Sequence, residues 1–226
     1  MPPETDRHLV IARLREEIRR LERSPARREG RVACGLPDVD AALPGGGFPR
    51  GALSELSGGP ASGKTAVALA LVAALGRGEL AAWIDGRGEL YPPAAAAGGV
   101  DLARLLVVRP PAPGPRGGTT AGTDAVRRGL WAAEALLASG AFAAVVVDLP
   151  VSERLPGADA AARRLQAAAE RGGAVGLWLA PGKGLRVPAA VRIELAVEPG
   201  PPGARRIVAR ARRGEASPGG GGTRAA

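Results

Sequence analysis

Aromatic side chains are scarce. Three tryptophans, one tyrosine and two phenylalanines make up 3% of the 226 residues. A core must therefore be built from Ala, Val and Leu, which dominate the 46% of residues that are hydrophobic. A single cysteine, Cys34, excludes an internal disulfide and a cysteine metal cluster, and it fits a reducing cytosol. With His8 as the only histidine, imidazole acid–base chemistry and histidine-rich metal sites are poor expectations. The longest apolar run, Ala66 to Leu75, is about half of a bilayer span, too short for a transmembrane helix. The first residues, Met1-Pro-Pro-Glu-Thr-Asp6, lack a basic flank leading into an apolar stretch, so no secretory signal is read there.

What is abundant is arginine. The 31 basic residues exceed the 22 acidic ones, giving a net charge of +9. Such a field attracts phosphate backbones without sequence preference. GC-rich coding, which favours Arg, Ala, Gly and Pro, produces the same composition, so both explanations stand. Lysine survives only at Lys64 and Lys183, two places where a compact ammonium differs from a planar guanidinium.

The sequence divides into three parts: an N-terminal amphipathic helix and linker (1–30), an α/β core (31–213) and a disordered glycine-rich tail (214–226). In the first part Ile11, Leu14, Ile18 and Leu21 recur at helical spacing until Pro25, a narrow seam suited to the protein's own core or to a neighbouring subunit. In the core, short apolar runs alternate with helical ones, the pattern of a parallel sheet with crossover helices. Strands are expected at Ala52–Ser57, Leu80–Asp85, Leu105–Val108, Ala143–Asp148 and Ala174–Leu179, and helices at Lys64–Gly76, Tyr91–Ala97, Asp124–Ser139 and Ala158–Arg171. Arg109–Thr123 is read as a loop. Alternation from Val191 to Val197, a turn at Pro199–Gly203 and Arg206–Arg212 form an antiparallel hairpin that closes the sheet.

Gly58-Gly59-Pro60-Ala61-Ser62-Gly63-Lys64-Thr65 fits the phosphate-loop pattern G-x-x-x-x-G-K-[ST] in full. Gly58 lets the chain leave its strand, and Gly63 allows close approach of backbone to phosphate. The helix that begins near Lys64 adds the positive end of its dipole, and Ala66 in its first turn is counted with the nucleotide-binding residues. Lys64 is placed to reach the β and γ phosphates, and the Thr65 hydroxyl to bind Mg²⁺. Multiplying residue frequencies gives a chance expectation on the order of a few per thousand for this pattern. An apolar strand ending in Asp148 supplies the second anion such a site uses to hold the Mg²⁺ water shell.

Several stretches together resemble the RecA core: Gly35–Gly51 running into Ala52–Thr65, Trp83-Ile-Asp-Gly86, Gly99–Pro110 and Ala135–Asp148. The resemblance spans about residues 33 to 213 and implies a RecA-like P-loop NTPase fold that binds ATP or ADP with Mg²⁺. Within that superfamily, Leu130–Gly140 and Arg163–Glu170 are most similar to the ImuA (SulA-like/RecA-like) proteins. This likeness implies an accessory of error-prone translesion synthesis in the bacterial SOS response. Its implied partners are an ImuB-like inactive Y-family polymerase, an error-prone C-family polymerase and RecA. It further implies a cytoplasmic protein with weak nonspecific DNA contact, no membrane, and self-association through the N-terminal helix.

Departures from the RecA pattern fall on the chemistry. The water-activating glutamate is replaced by Arg87, with Asp85 kept and Glu89 close along the chain. The γ-phosphate-sensing glutamine is replaced by Pro181, which offers neither an amide side chain nor a backbone N–H. The adenine-stacking tyrosine falls on Ala94, and the second DNA loop is reduced to Gly182–Arg186. The residues of catalytic type are therefore Lys64 and Asp148, with Glu89 as the displaced base. Arg210 and Arg212 match in spacing a basic pair that reaches a neighbour's nucleotide, against the plainer reading of a solvated strand face. Lys183 could touch phosphate or sit exposed. Trp83, Trp131, Trp178 and Cys34 are expected in the core. Three functions remain open: an ATP-binding adaptor, a DNA-dependent ATPase or minimal recombinase, and a filament cap whose nucleotide only holds the fold.

Overall fold

The computed structural model describes residues 30–111, 119–151, 156–180, 187–199 and 205–213. The N-terminal helix with its seam, the loop carrying Pro181 and Lys183, and the tail lie outside the described residues.

Among the described residues, nine strands and five α-helices follow in chain order. Strands β1 (Arg31–Val32) and β2 (Phe48–Pro49) pair into a small antiparallel clasp around helix α1 (Pro37–Ala42). Asp40 of α1 ties this clasp together by accepting hydrogen bonds from the backbone N–H groups of Cys34 and Gly35 at 2.8 and 2.9 Å. Then come β3 (Ala52–Ser57), α2 (Lys64–Ala73), β4 (Leu80–Asp85), α3 (Pro92–Ala97), β5 (Leu105–Val108), α4 (Thr119–Ala138), β6 (Phe142–Asp148), α5 (Ala158–Gly172), β7 (Val175–Leu179), β8 (Val191–Pro199) and β9 (Arg205–Arg213). The main sheet has seven strands in the order β5-β4-β6-β7-β3-β8-β9, parallel except for the final β8–β9 pair. This is the α/β architecture expected from the alternating pattern, with its C-terminal antiparallel hairpin.

The strands are apolar on both faces because both faces are covered. Successive residues point to opposite sides. Leu56, Trp83, Val146, Leu177 and Ile193 therefore pack on one side with Val67, Leu71 of α2 and Ala95 of α3. Leu53, Ile84, Val145, Val147 and Trp178 pack on the other with α4 and α5, through Leu130, Leu137 and Leu165. Alanine at Ala161, Ala162, Ala168 and Ala169 lets α5 lie close to the sheet, so a core with few aromatics fills without voids left by bulk. Cys34 is buried as expected, and burial pushes its thiol up to about 12, which makes it an unreactive packing residue.

Three expectations are corrected. Residues 119–123 were expected in a loop but form the first turn of α4. Their Thr and Gly residues have low helix propensity, yet extending an existing helix by a turn costs little once the rest is nucleated. Helix α2 stops at Ala73, short of Gly76. Trp131 does not join the core: it stands 72% exposed on the outer face of α4, where the apolar stripe facing the sheet runs through Val126, Leu130, Ala133 and Leu137 instead.

Gly172 is where α5 passes closest to α4, since a Cβ there would collide with the Leu137 carbonyl oxygen. Gly172→Ala is expected to lower stability by about 1 to 3 kcal/mol through forced separation of the two helices. Gly122→Ala, in a helix with open space at the Cβ position, is expected to raise stability by about 0.5 to 1 kcal/mol. Urea denaturation midpoints of the two variants should move in opposite directions.

Candidate nucleotide site

The chain leaves β3 at Ser57 and wraps into the loop Gly58–Gly63 before α2 begins. Gly58 (φ 146°) and Gly63 (φ 91°) adopt backbone angles that side chains disfavour. A Cβ at Gly58 would press on the Leu195 carbonyl and the Ser62 side chain, so the loop seats against β8 only with glycine there. Ala61, at φ 55°, is the only non-glycine residue at positive φ among the described residues, a local strain of the kind found at ligand-binding loops. Gly63 caps α2, whose first N–H groups have no intrahelical acceptors and face the loop's concavity.

Lys64 folds over this loop. Its Nζ donates to the carbonyl oxygens of Gly58 and Gly59 at 2.8 and 3.0 Å and to Ser62 Oγ at 3.2 Å. Burial and the neighbouring Arg87 charge lower its pKa, and Asp148 works in the opposite direction. A cavity of about 700 Å³ opens over the loop, lined by Gly58–Thr65 together with Arg87, Glu89 and Asp148 and by Leu179 and Ala180 at the end of β7. Lys64, Asp148, Glu89 and Thr65 thus share one cavity, whereas Ala66 lies on the exposed start of α2 outside its lining.

The second wall comes from β4 and β6, whose parallel register sets Asp85 beside Asp148. Each carboxylate has its own arginine. Arg109 Nε donates to Asp85 Oδ2 at 2.9 Å, while Asp85 Oδ1 accepts the backbone N–H groups of Glu89 and Leu90. Arg87 Nε donates to Asp148 Oδ1 at 2.9 Å. The turn that carries Arg87 is clamped, because the Gly86 N–H donates to the Asp148 carbonyl oxygen at 2.8 Å and a Cβ on Gly86 would strike Leu149. Burial raises the Asp148 pKa to about 6, with Glu89 and Asp85 adding to the rise and Arg87 opposing it.

The loop suits nucleotide phosphates: glycine at the close approaches, an ammonium at the rim and a helix N-terminus behind. The carboxylate that would anchor a Mg²⁺ shell is salt-bridged to Arg87 through one oxygen, so a metal there would share it with a guanidinium and the side chains as placed suit the phosphates better than the metal.

Besides the Arg87–Asp148 pair, two further pairings escaped the sequence reading. Arg109 follows β5 directly as Asp85 ends β4, and the two strands are in register from Ala81–Leu105 to Ile84–Val108, so oppositely charged residues at adjoining strand ends were the available signal. Glu55 and Arg192 face each other across β3 and β8, with Arg192 Nη1 donating to Glu55 Oε2 at 2.7 Å and Arg192 Nη2 to the Val187 carbonyl at 2.7 Å. This pair fixes the segment entering β8. Arg210 stands exposed on β9. Trp131 instead lines a shallow groove of about 340 Å³ between α4 and α5, beside the Arg164–Glu134 ion pair.

Residues 14–162 match the family model described as the RecA N-terminal domain. This chain belongs to the RecA family. Curated RecA proteins are 42% identical over 118 residues in Levilactobacillus brevis and 41% identical over 118 residues in Limosilactobacillus reuteri. In both cases the match takes in 52% of this chain but only 28% and 29% of the relative, so this RecA-family chain corresponds to under a third of those proteins' length. The crystal structure of the RadB recombinase superposes with a TM-score of 0.61 over 81% of this chain and 90% of that one, at 21% identity, a likeness of fold.

The Asp148 environment has a sign that can be measured. A carboxyl whose pKa is raised by folding binds more protons in the folded than in the unfolded chain between roughly pH 4 and pH 6. Its contribution therefore favours folding at low pH and is lost as pH rises through about 6. Asp148→Asn, which keeps an acceptor for Arg87 and removes the charge, should raise the urea midpoint at pH 7.5, and the gap to wild type should close as pH falls toward 4.

Proposed function

We propose that this RecA-family chain binds ATP or ADP at Gly58–Thr65 and acts as an ImuA-like accessory of error-prone translesion synthesis. In this reading nucleotide binding sets the state of an adaptor and supplies little turnover. The observation that carries the reading is the place of Arg87, which stands on the turn after β4 where RecA proteins hold the water-activating glutamate and engages Asp148 instead. A guanidinium cannot accept a proton from water at neutral pH, and an acid paired to it is not free to orient one. Phosphoryl transfer to water draws most of its rate from positioned groups of that kind, so good binding with feeble hydrolysis follows.

The partners proposed on this reading are an ImuB-like inactive polymerase, an error-prone C-family polymerase and RecA, in the bacterial cytoplasm during DNA damage. The N-terminal seam of Ile11, Leu14, Ile18 and Leu21 is the proposed protein contact, whether with RecA or with a second copy. The arginines from Arg205 to Arg224 are the proposed source of weak, salt-sensitive DNA attraction. No helix among the described residues is long and apolar enough to cross a membrane.

Glu89 favours a second reading, a recombinase-like ATPase, because it lines the same cavity as Lys64 and Asp148. Two measurements separate them. Calorimetric titration with ATP should show binding that Lys64→Ala weakens by about 2 to 3 kcal/mol, the loss of a charge-assisted phosphate contact. Phosphate release with and without single-stranded DNA should stay near background. Turnover that DNA stimulates and Glu89→Gln abolishes would favour the ATPase, and equal ATP affinity for wild type and Lys64→Ala would remove the nucleotide site altogether.

A further inference from the structure

Two cations border the phosphate loop, and they are held differently. Lys64 leans on backbone carbonyls of the loop itself. Arg87 is fixed from the opposite wall by Asp148, on a turn clamped through the Gly86 N–H to the Asp148 carbonyl and intolerant of a side chain at Gly86. Its single bond from Nε uses one of the five donors of a guanidinium, and the residue lines the cavity with the loop. A guanidinium fork matches phosphate oxygens in shape as well as charge.

Metal and arginine compete for one carboxylate. Arg87 takes one oxygen of Asp148, so a hydrated Mg²⁺ leaning on the other would place a dication beside the guanidinium inside a partly buried cavity, two like charges on one carboxylate. Leaving the pair closed already provides positive charge at that wall. We infer that Arg87, anchored by Asp148, serves as the counter-charge for the bound triphosphate in place of Mg²⁺, so that this site binds metal-free nucleotide as well as its Mg²⁺ complex. The inference rests on the nucleotide reading above and adds to it which ionic form of the nucleotide the site selects.

The test is equilibrium binding of ATP to the full chain by calorimetry, once in excess EDTA and once in excess MgCl₂, for wild type, Arg87→Ala and Arg87→Lys. Wild-type dissociation constants should agree within about threefold between the two conditions. Arg87→Ala frees Asp148, so its binding in EDTA should weaken by about tenfold or more and Mg²⁺ should restore it. Arg87→Lys, which keeps charge without the fork and perturbs the fold least, should fall between them. As a separate readout, electron paramagnetic resonance of Mn²⁺ with ATP should show an ion ligated by protein oxygen in Arg87→Ala and an ion held by the nucleotide alone in wild type. Wild-type binding tightened about tenfold or more by Mg²⁺ overturns the inference while leaving the nucleotide reading in place. So does an Arg87→Ala variant that behaves as wild type in both conditions. Absence of ATP binding in both conditions, with a cooperative thermal transition showing a folded protein, overturns the nucleotide reading itself and this inference with it.

Discussion

Two carboxylates end adjacent parallel strands in register, Asp85 on β4 and Asp148 on β6. That juxtaposition is the constraint around which the carboxyl edge of the sheet is arranged. Like charges so placed in a partly desolvated setting repel strongly, and each must be protonated or matched. The chain matches both with arginine. Asp85, fully buried, takes Arg109 and two backbone N–H groups, which turns it into a structural hub for the turn Gly86–Leu90. Asp148 takes Arg87 from that same turn. Because the hub holds the turn, it also holds the arginine, and the charge of the cavity's second wall is set three strands away from the strand that carries the phosphate loop.

The division of labour between the two acids follows from their surroundings. Asp85 is locked by Arg109, which also donates to the Leu90 carbonyl, and by the N–H groups of Glu89 and Leu90, so it shapes the loop. Asp148 faces the cavity, keeps an elevated pKa of about 6 and has one arginine as its partner. A buried charge that is incompletely compensated costs stability, and such costs collect where a ligand is to be met. The strained Ala61 and the glycine-dependent seat of Gly58 against Leu195 belong to the same region. Strain and poorly compensated charge thus lie together at the phosphate loop and its facing wall, while Glu55, within β3, is matched by Arg192 of β8.

Much of this was legible in the sequence, for identifiable reasons. Buried parallel strands must be apolar on both faces, so Ala52–Ser57, Leu80–Asp85 and Phe142–Asp148 stood out as short runs ending in polar residues at the sheet's functional edge. The phosphate loop was legible because each glycine in it has a backbone task that few other residues can perform. The ion pairs were not, since Arg87–Asp148, Arg109–Asp85 and Glu55–Arg192 join residues 61, 24 and 137 positions apart. Only strand order and register make them neighbours, and periodicity carries neither. Trp131 was misplaced for a different reason. Its face is marked by its neighbours on the helix and not by its own apolar character: Arg127, Arg128 and Glu134 stand three or four residues from it, while Val126, Leu130, Ala133 and Leu137 form the stripe that meets the sheet.

Replacing a glutamate by an arginine at position 87 reverses more than one property of such a site. A glutamate there would add a third carboxylate to Asp85 and Asp148, making the wall a receptor for a dication and a base for water. An arginine neutralises the wall from within, gives Asp148 a partner when no ligand is bound, and offers donors toward phosphate. On the proposed reading, the first arrangement is completed by metal and favours turnover, whereas the second meets phosphate with charge of its own and favours retention. The charge of that wall therefore turns on a residue whose turn is held in place by hydrogen bonds that neither phosphate nor metal makes.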